Sequence, residues 1–259
     1  MQAAECDPRW YLSIGGGVDV DVGSSDLNQG LAPHYFNNTL TTAYIKSHDW
    51  SEVYDNAWRI EGEVGYVLSQ HLELFGSFKY AHADAASSAT GSRAIFDIVI
   101  APPTIFPLTT EFDDYDAWGG ELGFRFFLLS RRARFRPYIS LSGGATHVDS
   151  IDMAMFVDFS GAGGPPHSEM YRGGFFDDSW IGTASAALGG ELGLTCHWFI
   201  GANAAIRYQS SLSENDRDFT RGAVDFEGGR FSGRFLRPMN NDAGERWTVP
   251  VTGYVKFRF

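Results

Sequence analysis

Apolar and polar residues alternate with a period of two over eight segments of this chain, the spacing of β-strands that turn different faces to different surroundings. The clearest is residues 246–259. Trp247, Val249, Val251, Gly253, Val255, Phe257 and Phe259 fall on one face, and Thr248, Pro250, Thr252, Tyr254, Lys256 and Arg258 on the other. Residues 9–22 set Leu12, Ile14, Val18 and Val20 against Tyr11, Ser13, Asp19 and Asp21. Residues 57–69 set Trp58, Ile60 and Val64 against Arg59, Glu61 and Glu63, and residues 71–83 set Leu72, Leu74 and Phe78 against Glu73, Ser77 and Lys79. The pattern returns at 115–129 with Glu121 and Arg125 on the polar face, and at 135–149 with Tyr138, Ser140, Ser142 and Thr146. It returns again at 179–195 with Thr183, Ser185 and Glu191, and at 197–210 with Asn203, Arg207 and Gln209. Such runs exceed the usual length of strands in soluble sandwiches.

The links between segments alternate in length. Short ones fall near Ser69-Gln70, from Ser130 to Arg134 and at Cys196, whereas residues 23–56, 84–114, 150–178 and 211–246 are long. This is the rhythm of an up-and-down barrel whose two ends face different compartments. It predicts one all-β domain over residues 1–259: an eight-stranded antiparallel transmembrane barrel with short periplasmic turns and long extracellular loops. Glu61-Gly62-Glu63-Val64-Gly65, Gly119-Gly120-Glu121-Leu122-Gly123 and Gly189-Gly190-Glu191-Leu192-Gly193 look alike, and their glycines suit a strongly curved, narrow barrel. Aromatic residues gather near the strand ends. Trp10, Trp198, Phe257 and Phe259 mark one interface, and Trp58, Trp118, Trp180, Trp247 and Tyr208 the other, as in the paired girdles of membrane proteins.

Composition narrows the picture. Thirty glycines and 15% aromatic residues favour strands and turns over helices. A net charge of −12 argues against nucleic acid as a partner. No run of 18 apolar residues is present, which excludes a helical membrane protein but not a barrel. Met1-Gln-Ala-Ala-Glu lacks a basic and apolar leader, so the chain reads as a mature form behind an added start. Cys6 and Cys196 both fall at the predicted periplasmic end, where a disulfide is permitted. A bridge and two free thiols stand as alternatives.

The terminal Tyr254-Val255-Lys256-Phe257-Arg258-Phe259 ends in phenylalanine with aromatic or apolar residues at alternate positions. On these residues and the strand pattern the chain resembles the eight-stranded outer-membrane barrel superfamily, which includes the outer membrane protein A transmembrane domain. The resemblance covers the strands, about half the chain. It implies an outer-membrane location, surrounding lipid and lipopolysaccharide, and recognition of Tyr254, Val255, Phe257 and Phe259 by the barrel-assembly machinery. No peptidoglycan-binding segment follows, so cell-wall anchoring is not implied.

An eight-stranded barrel leaves room inside only for side chains. The inward set holds Glu61, Glu63, Glu73, Glu121 and Glu191 with Arg59, Lys79, Arg125, Arg207, Lys256 and Arg258. Buried charges must pair, so these predict a salt-bridge network that plugs the lumen. A gate whose pairs exchange partners is the competing reading. In the loops, Ala94–Ile100 and Ile151–Phe159 are apolar and β-prone. They suit either strands prolonged above the membrane or a surface that docks a protein partner. Asp113-Asp114-Asp116 and Asp177-Asp178 read as a solvated acidic rim, since no EF-hand spacing accompanies them. Arg217, Arg221, Arg230, Arg234 and Arg237 suit either lipopolysaccharide phosphates or the nearby Asp216, Asp218, Asp225 and Glu227. His82-Ala83-Asp84 and His147-Val148-Asp149-Ser150 raise the question of a lipid-modifying hydrolase. No zinc motif or phosphate-cradling glycine loop is present, and no metal or cofactor is implied. The expected function is that of a non-enzymatic anchor presenting surface loops. A narrow ion channel is the first alternative and a lipid-modifying enzyme the second.

Overall fold

The structure is a computed structural model that describes residues 8–24, 28–36, 39–85, 89–96, 104–131, 133–214, 222–226, 229–235 and 245–259. Eight strands close into a barrel: β1 (Trp10–Ser24), β2 (Ala57–Val67), β3 (Leu72–Ala83), β4 (Tyr115–Phe127), β5 (Phe135–Val148), β6 (Ser179–Gly193), β7 (Trp198–Gln209) and β8 (Arg246–Arg258). Each pairs antiparallel with its neighbours in sequence, and β1 closes the ring on β8 from Tyr11↔Arg258 to Ser24↔Arg246. One bulge interrupts that seam between Asp21 and Gly23. Each strand lies within two residues of the bounds read from alternation.

The two faces point as the pattern requires. Leu122 is 77% exposed, Ile14 67%, Leu188 66% and Phe78 58%, with Trp58, Trp118, Trp180, Trp247, Trp10 and Trp198 also exposed. Soluble monomers expose apolar patches of only a few hundred Å², and each Å² left in water costs about 25 cal/mol. An apolar belt around all eight strands is therefore stable only in hydrocarbon. The inward residues Glu73, Glu191 and Lys256 are fully buried.

The repeated glycine–glutamate motif has a packing cause. Gly65, Gly123 and Gly189, each two residues from an inward glutamate, share its face, and a ring from the paired strand lies over each. Tyr11 covers Gly65, Phe75 covers Gly123 and Tyr138 covers Gly189. A methyl on Gly65 would stand 2.2 Å from the Tyr11 ring. Curvature enters elsewhere: a methyl on Gly144 would meet the Gly120 carbonyl at 2.0 Å, so neighbouring strands approach there as only glycine allows.

Beyond the membrane the long links are not loops. Their hairpins form a second, nine-stranded antiparallel sheet. In spatial order it runs Ser213–Glu214, Ser168–Asp177, Ile151–Val157, Thr104–Phe112, Ala89–Phe96, Thr39–His48, Asn28–Phe36, Gly229–Phe235 and Gly222–Phe226. The long extracellular links thus carry strands of their own, and the prolongation expected for two of them runs through every one. The lining also changes. Above the girdle the inward residues become apolar: Ala57, Ala83, Ala117, Val148 and Ile181 from the barrel meet Leu108, Phe112, Ile151, Met153, Met155 and Phe175 from the second sheet. The short helix Trp50–Val53 drops Trp50 and Val53 into this core. The polar interior predicted for the whole barrel thus holds only within the membrane. Outside it water wets the outer face, and the interior reverts to the apolar core of a soluble protein.

Candidate functional site

The sequence places ionic residues at alternate inward positions of adjacent strands, and the register brings them together in two clusters. The cluster nearer the periplasmic turns joins Glu63, Glu73 and Glu191 to Arg125, Lys256, Arg258 and Arg136. Arg125 donates to both Glu63 oxygens at 3.1 and 3.0 Å. Lys256 Nζ donates to Glu73 at 3.0 Å and also to Glu191, and Arg258 Nη2 reaches Glu73 at 2.7 Å and Glu191 at 3.3 Å. Tyrosines fill the gaps. The Tyr254 hydroxyl lies 3.1 Å from that of Tyr138 and 3.2 Å from Glu191, and Lys256 stands 4.1 Å from the centre of the Tyr11 ring.

The second cluster lies toward the outside. Arg59 bridges Asp19 at 2.9 Å and Glu61 at 2.7 Å. Arg207 lies 3.5 Å from Asp19 and 3.3 Å from Glu121, and Lys79 donates to Glu121 at 2.6 Å. Ser142, Thr183 and Ser185 also donate to Glu121, at 2.6, 3.3 and 3.2 Å. Such satisfaction is what a buried carboxylate requires. The eleven inward residues named from the sequence all belong to these two clusters.

Sequence reasoning missed Arg136 and did not place Asp19 in the network. Arg136 is 1% exposed, packs 3.6 Å from the centre of the Phe127 ring, and lies 3.6 Å from Glu191 and 3.8 Å from Glu73. It follows Arg131, Arg132 and Arg134 in a basic turn, so only its parity with Tyr138 and Ser140 marks it as inward. Above the clusters Arg246 donates to Gln209 and packs against both Trp50 and Tyr115, each ring centre 4.4 Å away. Arg246 is the junction between ionic lumen and apolar cap. In the cap, burial raises the Tyr54 hydroxyl well above its ordinary range, so it stays protonated and donates to the Asp113 carbonyl at 3.0 Å. A polar cavity of about 160 Å³ lies beside this junction, lined by Asp19, Asp55, Arg246 and Thr248. Another of about 340 Å³ opens at the periplasmic mouth beside Arg131, Arg134 and Arg258.

The other candidates fare variously. Val255 and Phe259 point outward, Phe257 packs on Trp198 with ring centres 4.8 Å apart, and Tyr254 turns inward. Cys196 is an exposed free thiol, and Cys6 lies outside the described residues. Arg217, Arg221, Arg237, Asp216, Asp218 and Glu227 also lie outside them, and Arg230, Arg234 and Asp225 are described only as backbone. Asp113, Asp114, Asp177 and Asp178 are exposed. Among the described residues both rim histidines face carboxylates. His82 lies 3.0 Å from Asp116 and 3.2 Å from Asp84, and His147 lies 3.3 Å from Asp149 and 3.6 Å from Asp178.

A closed ring of eight antiparallel strands, greasy outside, ionic within and girdled by aromatics at both ends, defines an integral β-barrel of the bacterial outer membrane. No known family profile matches the sequence, and no curated protein matches it. Among solved structures the chain is similar to neisserial surface protein A (NspA), at 8% identity over 96% of this chain and 97% of that one, with a TM-score of 0.44. It is also similar to the outer membrane protein OprG from Pseudomonas aeruginosa, at 13% identity over 97% and 98% of the two chains, TM-score 0.37. The outer membrane protease OmpT from Escherichia coli matches at 9% identity over 100% and 99%, TM-score 0.37. At such values the assignment rests on this chain's own two faces.

Proposed function

We propose that this chain is a closed, non-enzymatic anchor whose barrel holds the nine-stranded outer sheet above the membrane as a binding surface. The observation that carries this reading is the filled lumen: Glu73, Glu191, Lys256 and Arg258 are all at most 2% exposed at the level where a pore would have to pass. The apolar cap over Trp50 supports the same reading from the other end. The exterior belt meets lipid and lipopolysaccharide, the aromatic C-terminus engages the barrel-assembly machinery, and a protein partner docks on the outer sheet.

A narrow ion path is the second reading. It is favoured by the polar cavities that abut the column at both ends, one touching Asp19 and the other Arg258. Reconstitution in planar bilayers decides between them. The anchor is expected to leave the bilayer at its leak conductance under moderate voltage. A steady, ion-selective open state would replace it with the channel.

A further inference from the structure

Where β3 and β4 leave the membrane, His82, Asp84 and Asp114 bring one ligand atom each to within 4.8 Å of one another. We propose that these three residues bind a borderline divalent transition ion, with zinc the type case.

Asp116, which is not one of the three, lies across the barrel pairing from His82 and holds its Nδ1 at 3.0 Å. The Tyr80 hydroxyl donates to the same Asp116 oxygen and fixes it in turn. A carboxylate on one ring nitrogen is the usual outer support of a metal-binding histidine, because it sets the ring's orientation and tautomer. It leaves Nε2 directed at Asp84, 3.2 Å away. Two donors sharing a tetrahedral zinc at about 2.0–2.2 Å each stand about 3.4 Å apart. The backbone N–H of Ala85 donates to Asp114 Oδ1 at 2.9 Å and pins that carboxylate beside the pair.

The charge points the same way. Among the described residues no lysine or arginine pairs with Asp84, Asp114 or Asp116. A divalent cation offsets the charge of these carboxylates. One imidazole nitrogen with carboxylate oxygens suits zinc or nickel, whereas calcium and magnesium prefer oxygen alone. The exposed third side and the neighbouring Trp58 ring, 5.6 Å from His82, leave the ion open to water and visible to fluorescence.

The test uses the full chain folded in detergent, stripped of metal with a chelator and titrated with zinc by calorimetry. One saturable zinc equivalent is expected. His82→Ala and Asp114→Asn should each weaken it at least about tenfold, since even an outer-shell partner is worth about 10–100-fold. His147→Ala should leave it intact, and nickel should quench a tryptophan signal that Trp58→Phe removes. Heat-modifiable migration on a gel shows that each variant is folded. Absence of saturation below about 1 mM zinc, wild-type affinity in His82→Ala, or equal affinity for calcium would each overturn the site. In any of those cases the histidine serves only as a counter-ion of an acidic rim.

Discussion

Glu73→Gln is expected to lower the unfolding free energy by about 3–5 kcal/mol, the cost of breaking a buried ion pair from one side. The carboxylate is fully buried and receives Lys256 at 3.0 Å and Arg258 at 2.7 Å, with Arg125 and Arg136 at 3.6 and 3.8 Å. Without its charge Glu63 and Glu191 alone face four cations in a lumen with little water. Equilibrium denaturant titration of the protein in lipid, followed by tryptophan emission, measures the loss. Adding Lys256→Met to Glu73→Gln should recover most of it, because an ion pair removed whole costs far less than one removed by half. A Glu73→Gln protein as stable as the wild type would mean that the lumen is hydrated and its ions do not hold the barrel together.

Trp50→Ala should cost a similar amount, about 3–5 kcal/mol for a buried tryptophan, but in a different place. Trp50 is 2% exposed, sits edge-on to Tyr115 with ring centres 5.3 Å apart and packs against Arg246. Its loss empties the centre of the cap while leaving the membrane strands untouched. The variant should keep heat-modifiable migration, yet external protease should cut the outer sheet at least tenfold faster than in the wild type. Unchanged protease resistance would show that the outer sheet stands without its apolar core.

The contrast between these two sites explains what the sequence made legible. Inside the membrane both surroundings are extreme, hydrocarbon without and a narrow ionic core within, so Val249 and Val251 alternate with Thr248 and Thr252 without ambiguity. Strand bounds, the inward glutamates and the girdles follow from that. Beyond the girdle the contrast fades. Ile151–Val157 presents five buried residues in succession from Met153 to Val157, a pattern that no period-two reading resolves. Apart from the β-prone Ala94–Ile100 and Ile151–Phe159, the second sheet and Trp50 therefore look like loop from sequence. Arg136 was hidden for another reason, a run of arginines that reads as a wetted turn. Gly123 and Gly189 beside Glu121 and Glu191 were visible, but their role as seats for rings on the neighbouring strand depends on cross-strand register, which one sequence does not display.

The direction of the two faces is tested most directly with brominated phospholipids. Six of the tryptophans, Trp10, Trp58, Trp118, Trp180, Trp198 and Trp247, point outward near the barrel ends, while Trp50 is enclosed in the cap. In vesicles, bromines high on the acyl chain should quench most of the emission and bromines near the bilayer centre distinctly less, since the girdles sit at the interfaces. A protected residue of emission from Trp50 should persist with every lipid. Emission indifferent to bromine at any depth would mean that the apolar faces do not meet hydrocarbon, and the barrel would not be a membrane protein.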